Sequence, residues 1–541
     1  MSSPRTQGRT LRHLIVLMAA AAVLFFLFLG REGLTDPDES AYAESVREMA
    51  EQGQWLVPHL FGQPLLDKPI LFYWLMGASF RLFGEGELSA RLPSAFAALV
   101  GLLAVYRLGW LIHGSARAGL LSALTLGTSL MYAVMARAAV TDMVLTTLCT
   151  LAVVLYLETL ENPARRFLPI AGAACVGAAV LTKGPVGLVI PSLALGLYLG
   201  ATGSLHRLRD LRPAAGGSIF AAVAVPWYAA IFWRRPDLVK GFFASGNLGR
   251  FLEAEHRPQP PFYYLVVLLV GFLPWSAFLP GALARALRSR GDGEGSPRLR
   301  LLPALWLCGL LVFFTLAASK LPSYILPALP AASVLAAGTF VRWFEPLPEK
   351  QYPPGIAGMV FLALLSASIL VYVWEAQSLG AIPIGFKIAL LPICLAGLLG
   401  CLLALGTLLA RKARLSFFLL AAGNMVLIPS LIFFGFPLLD EWKSSRRAAE
   451  LVAPLLRPSD GVLLHQHHDP GFAYYLKRIP DRVDSEQDLV ERLSSQRRCF
   501  GLMGRDRYGK LRARRPSLPL YLLGAVGNTV VVTNVPPGGL P

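Results

Sequence analysis

Apolar residues fall in long, nearly unbroken blocks along this chain, separated by short polar stretches. A bilayer core of roughly 30 Å needs about 20 apolar residues of helix. Thirteen segments come close to or exceed that length: about 11–30, 88–112, 117–136, 140–160, 166–182, 184–200, 213–233, 262–284, 300–319, 321–343, 354–376, 383–410 and 414–436. Pro185 and Pro322 punctuate the closely spaced pairs and read as helix boundaries. The pattern changes after residue 436. Short apolar runs at Gly461–Leu464, Phe500–Met503 and Tyr521–Val532 alternate with charged stretches, and Ala448–Leu456 reads as a helix. This is the signature of a small α/β domain.

Composition narrows the class. Of 541 residues, 55% are hydrophobic and 15% charged, against roughly a quarter charged in a soluble protein. One water-soluble core and a disordered chain are both excluded. Six Cys, five of them inside predicted spans, exclude a disulfide scaffold. The net charge of +17 would suggest nucleic acid in a soluble protein. Its placement says otherwise. Arg5, Arg9 and Arg12 precede the first span, and alternate loops carry Arg107 and Arg117, Arg165 and Arg166, Arg207 to Arg212, Arg285 to Arg300, Arg342 and Lys350, and Arg411 to Arg414. Cationic loops mark the cytoplasmic side. The N-terminus is therefore expected in the cytoplasm and, with thirteen spans, the C-terminal domain outside. The first span lacks a small-x-small cleavage site and reads as a retained helix.

The opposite face carries the chemistry. Ionisable groups beside membrane spans are functional candidates by default. The first outer loop, from Arg31 to about Glu87, opens Asp36-Pro37-Asp38-Glu39-Ser40-Ala41-Tyr42-Ala43-Glu44. Asp38 is placed to cap a helix over about 39–52, with Tyr42, Val46 and Met49 on its apolar face. Asp67-Lys68-Pro69 then opens an aromatic helix that suits the membrane interface. Further outer loops hold Arg137 and Asp142, Lys183, the group Asn247 to Arg257 including His256, and Lys320 with Tyr324. Cations with acids among them, all on one side, suit a phosphate-bearing substrate and a reacting sugar. A solvated helix start accounts for Asp38, and a lysine reaching for headgroups accounts for Lys68, when each is taken alone. His465, His467 and His468 are close enough in sequence for a metal site, although an exposed histidine loop explains them as well. Asp67 with His256 is a second pair to test. No phosphate-binding Gly-x-x-x-x-Gly-Lys-Ser/Thr loop and no dinucleotide fingerprint occurs.

The stretches Asp36–Met49, Trp55–Pro58, Asp67–Trp74, Arg91–Pro93, Ala136–Thr146, Thr182–Pro185, Glu255–Trp275 and Lys320–Pro330 resemble, in order, those of integral-membrane GT-C glycosyltransferases. The nearest resemblance is to the aminoarabinose lipid A transferases (ArnT-like), distant kin of the protein O-mannosyltransferases. The resemblance implies a polyprenyl-phosphate sugar donor and inverting transfer at the periplasmic face of the inner membrane. The implied acceptor is lipid A or a related glycolipid, or else a protein. Membrane lipids are the surroundings and nucleic acid is not a partner. It places Asp38 and Glu39 at the reacting centre, and Lys68 and Tyr324 at the donor phosphate. Asp142, Lys183, Arg137, Arg257 and Lys320 would line the cavity. A divalent metal ion, at Asp67 and His256, is the one cofactor it allows. Ala41 departs from the pattern, because close relatives often carry Arg there. A lipid-linked sugar transporter or flippase is the alternative from another class.

The fold expected is thus a mostly α polytopic membrane protein of about thirteen transmembrane helices. Amphipathic juxtamembrane helices occupy the first periplasmic loop (31–87). Residues 1–436 form the transmembrane domain and 437–541 a soluble α/β domain.

Overall fold

The computed structural model describes residues 4–249, 252, 259–288, 299–345, 355–378, 384–495 and 497–536. Most of them are helical, and the chain separates into two units.

The first unit comprises Met1–Phe28, Leu66–Phe72 and Leu92–Phe434. Among the described residues, seven helices are long and apolar enough to cross a membrane, from Gly8–Phe26 to Ala413–Gly435. Two bent pairs raise this to nine, Ala116–Gly127 with Leu130–Ala136 at 71° and Tyr263–Gly271 with Trp275–Arg288 at 113°. Four shorter apolar helices complete the set: Leu168–Lys183, Val186–Ala201, Leu301–Leu316 and Ile356–Tyr372. Each coincides with a segment expected from hydropathy, but these four are too short to count as crossings by length alone.

The two bends answer one another. A break in a helix frees backbone groups that hydrocarbon cannot satisfy. The Leu130 N–H freed at the first break donates to the Leu273 carbonyl at the second, at 3.2 Å. The Trp275 indole N–H donates to Thr128 Oγ1 at 3.1 Å, and the Asn424 amide to the Thr128 carbonyl at 2.9 Å.

The second unit comprises Leu29–Leu65, Tyr73–Arg91 and Gly435–Pro541. Apart from Leu66–Phe72, the first outer loop therefore clusters with the C-terminal α/β domain, whereas hydropathy alone groups it with the spans. Strands β1 (His59–Leu60) and β2 (Gln63–Pro64) form a short hairpin. A five-stranded sheet follows from β3 (Gly461–His465), β4 (Asp481–Val483), β5 (Cys499–Gly504), β6 (Tyr521–Val526) and β7 (Thr529–Thr533), in the order β4-β3-β5-β7-β6. The β4-β3-β5 pairs are parallel, and β5-β7 and β7-β6 antiparallel. The apolar run 521–532 is thus a hairpin of two strands turning at Gly527–Asn528.

Alternate residues of the central strands face opposite layers. Cys499 and Met503 pack with Leu489, Leu493 and Leu511 on one face. Phe500 and Leu502 pack with Val452, Phe472 and Leu476 on the other. Helices cover both faces, which is why these strands read as continuous apolar runs. Ser485 and Asp469 cap two of the helices, accepting the N–H groups of Asp488 and Phe472.

Candidate functional site

In the membrane unit the expected polar residues come from helix ends. Asp142 lies in the first turn of Thr141–Glu161, and Lys183 is the last residue of Leu168–Lys183. Their side chains meet, with Lys183 Nζ 2.6 Å from Asp142 Oδ1 and both largely buried. Lys183 Nζ also stands 4.8 Å from the centre of the Tyr324 ring, a cation–π contact strengthened by poor hydration. Tyr324 belongs to the 3-10 turn Pro322–Ala328 and packs on Phe314. The Tyr264 hydroxyl donates to the Leu321 carbonyl beside it at 3.2 Å. Lys320 Nζ donates to the Ala317 carbonyl at 2.7 Å. Arg137 ends the helix Leu130–Ala136, is 5% exposed, and reaches the Leu24 carbonyl at 3.4 Å.

The reason is local. A helix C-terminus favours a cation and an N-terminus an anion, so Lys183 and Asp142 each occupy the end that suits their charge. Gly184 follows Lys183 with φ +76° and ψ −150°, a conformation open essentially to glycine. Gly187 allows the returning helix to approach, because a Cβ there would lie 2.6 Å from the Ala179 carbonyl oxygen.

Lys68 is paired with Asp67, Nζ to Oδ2, at 2.7 Å. A divalent ion at Asp67 would share that carboxylate with an ammonium group already bonded to it. His256 and Arg257 lie outside the described residues. Among the described residues no three His, Cys, Asp or Glu side chains converge as a metal site. The histidine trio is dispersed. His465 Nδ1 is 2.9 Å from the Val483 carbonyl, His467 is 3.5 Å from Asp469, and His468 stacks edge-on with Phe61. Burial lowers the basicity of His465 and His468.

In the second unit the helix of the first outer loop runs Asp38–Gln52. Asp38 is exposed and sits in its first turn, with Pro37 at the cap position assigned to Asp38 from sequence. Tyr42, Val46 and Met49 are buried, as their spacing predicts. Glu39, placed by resemblance at the reacting centre, is 4% exposed with both oxygens engaged. Its Oε2 accepts the Thr35 N–H at 2.9 Å and Arg91 Nη2 at 2.8 Å, and its Oε1 accepts Arg91 Nε at 3.0 Å. Arg91 spends its remaining donors on the carbonyls of Leu29, Glu32 and Gly33. Sequence reasoning quoted Arg91 within a motif but gave it no role. The available signal was a lone cation entering an apolar helix.

A family model described as dolichyl-phosphate-mannose-protein mannosyltransferase matches residues 67–229. The undecaprenyl phosphate-alpha-4-amino-4-deoxy-L-arabinose arabinosyl transferase of Serratia proteamaculans (strain 568) is 32% identical over 388 residues, covering 69% of this chain and 68% of that protein. The protein of the same description from Erwinia tasmaniensis is 34% identical over 332 residues, covering 60% of this chain and 59% of its own. The crystal structure of ArnT from Cupriavidus metallidurans bound to undecaprenyl phosphate superimposes with a TM-score of 0.84 at 26% identity, covering 97% of this chain and 98% of the other.

Proposed function

Because the chain belongs to the family of undecaprenyl phosphate-alpha-4-amino-4-deoxy-L-arabinose arabinosyl transferases, we propose that it moves an aminoarabinose-type sugar from a polyprenyl-phosphate donor onto lipid A or a related glycolipid. It is a GT-C glycosyltransferase and a multi-pass membrane protein. The four shorter apolar helices also cross, which with the seven long helices and two bent pairs makes thirteen spans. Arginine-rich loops put the N-terminus in the cytoplasm and the reacting groups on the periplasmic side.

The observation that carries the reading is the Asp142–Lys183–Tyr324 group. A buried ammonium in an apolar helical unit is costly unless paired. Asp142 pairs with the Lys183 ammonium and aims it, and the Tyr324 ring covers it. An anionic phosphate is the ligand for which such a cation is suited.

The chemistry follows from charge. As the acceptor oxygen attacks the anomeric carbon, the sugar–phosphate bond breaks and negative charge builds on the departing polyprenyl phosphate. Lys183, Lys68, Lys320 and Arg137, and Arg257 by resemblance, are assigned to stabilise it in a poorly hydrated setting. Asp38, exposed at the first residue of its helix, takes the proton of an acceptor hydroxyl. Where the acceptor is already a phosphate, Asp38 orients it instead. One displacement inverts the anomeric centre. Glu39, occupied by Arg91, holds the loop and does not touch the sugar. No step runs through a metal, and Asp67 serves to hold Lys68.

Purified full-length protein in detergent, supplied with the undecaprenyl-phosphate aminoarabinose donor and a lipid A acceptor, should release undecaprenyl phosphate. Asp38→Asn and Lys183→Met should each lower that release about 10²-fold or more. Wild-type rates in both variants would refute these assignments. A flippase has no second compartment in detergent and would release nothing.

A further inference from the structure

Asp36, like Glu39, is an acid of the Asp36-Pro37-Asp38-Glu39 run that the reaction leaves unused. It lies two residues before Asp38, and its carboxyl group is bonded into the C-terminal domain. Oδ1 accepts the Gly471 N–H at 2.8 Å and the Ser40 hydroxyl, and Oδ2 accepts the Ser445 N–H at 3.0 Å. The Ser445 hydroxyl donates to Asp469 Oδ2 at 2.5 Å, so one serine joins two carboxyl groups. The Asp36 N–H donates to the Lys443 carbonyl at 2.6 Å.

The neighbouring residues repeat the arrangement. The Leu34 N–H donates to the Tyr475 hydroxyl at 2.7 Å and the Gly33 N–H to Asp440 Oδ1 at 2.9 Å. Arg91 holds the carbonyls of Leu29, Glu32 and Gly33. No space is left between the partners. A Cβ on Gly471 would lie 2.5 Å from Asp36 Oδ2.

We propose that Asp36 is a positioning residue for sugar transfer: through Gly471, Ser445 and Asp469 the C-terminal domain sets the start of the helix Asp38–Gln52 and so the place of the Asp38 carboxylate. The proposal rests on the reading of Asp38 as the acid at the reacting centre. The Thr35 and Pro37 carbonyls accept the first helical N–H groups, from Glu39 and Ala41, both at 3.0 Å. A displacement of Asp36 is therefore passed directly to the first turn, where about 1 Å is enough to cost a large part of the rate.

Protonation gives the clamp a signature. Burial, and then the charge of Asp469, hold the Asp36 carboxyl up at about 7. The groups facing it are Asp469, the Ser40 hydroxyl and the N–H groups of Ser445 and Gly471, with His467 beyond Asp469. The Ser40 hydroxyl also reaches the Pro37 carbonyl at 3.3 Å, so it can accept from neutral Asp36 while donating onward. The folded state favours neutral Asp36. Its contribution is complete below the ordinary carboxylate range and is lost as pH rises through about 7.

The test uses full-length protein and the donor assay above, between pH 5.5 and 8.5. Asp36→Asn, permanently neutral but with an amide nitrogen that cannot accept the second backbone N–H, should lower kcat about tenfold, leave donor KM within about twofold, and flatten the alkaline fall in kcat expected of wild type near pH 7. Gly471→Ala, which leaves every titratable group in place, should lower kcat in the same way. It decides the matter if Asp36→Asn is not recovered folded. Wild-type kcat and pH profile in these variants, with Asp38→Asn inactive, would overturn the clamp and leave the catalytic reading standing. An active Asp38→Asn would overturn both.

Discussion

Arg91 uses all five guanidinium N–H groups, two on Glu39 and three on backbone carbonyls of the segment before it. Its bidentate pair is nearly dry, with the two side chains 7% and 5% exposed. Such a pair adds little beyond its own desolvation while intact, but removing one partner strands the other charge. Arg91→Ala should therefore destabilise the second unit by about 3–5 kcal/mol. It would appear as earlier loss of monodisperse protein on heating in detergent. Arg91→Lys should recover only part, because an ammonium group cannot reproduce the fork. Sequence could single out this arginine but not explain it. Its partners lie 52 to 62 residues away along the chain. Glu39 shows the same limit from the other side: resemblance placed it beside Asp38, while its partner Arg91 lies 52 residues along the chain.

At the level of elements, the groups that suit phosphate chemistry are presented by ends and breaks of helices. The turn Lys183-Gly184-Pro185 reverses one apolar helix into the next while leaving Lys183 beside Asp142. Gly184→Ala should cost about 1–3 kcal/mol of backbone strain. It should also lower donor turnover more than it lowers melting temperature, as separate assays on one preparation would reveal, because the strain falls on the residue next to Lys183. The breaks at Thr128–Ser129 and Leu273–Pro274 were not read from the sequence, which gave one unbroken span across each. The first has no proline, and hydropathy runs through it as a single span. Only packing reveals that each break supplies what the other lacks. The tail strands were legible because two covered faces make continuous apolar runs. The same continuity concealed the turn at Gly527–Asn528.

For the whole molecule, the thirteen crossings proposed above would put the two ends of the chain on opposite sides of the membrane. Lys412→Cys, between the last two spans, should resist an impermeant maleimide in spheroplasts of a bacterial host. Ser495→Cys, exposed in the C-terminal domain, should react. Labelling of both from outside would remove a crossing and invert the argument from the arginine loops. The +17 charge then reads as a record of topology. The cations assigned to chemistry are few, and they lie outside the arginine-rich loops that carry the topology argument.

The sequence by itself determined what solvent and charge impose. Apolar length dictates where helices form in hydrocarbon and alternating runs specify the sheet, because each depends on residues close together in the chain. Tertiary structure decided which polar groups are partners. Asp142 with Lys183, Glu39 with Arg91, and Asp36 with Ser445 and Gly471 are separated by 41, 52 and more than 400 residues. A buried charge must find its counter-charge wherever the fold brings one. No local pattern records that choice, and here it ties two acids of a single motif, Asp36 and Glu39, to different distant partners.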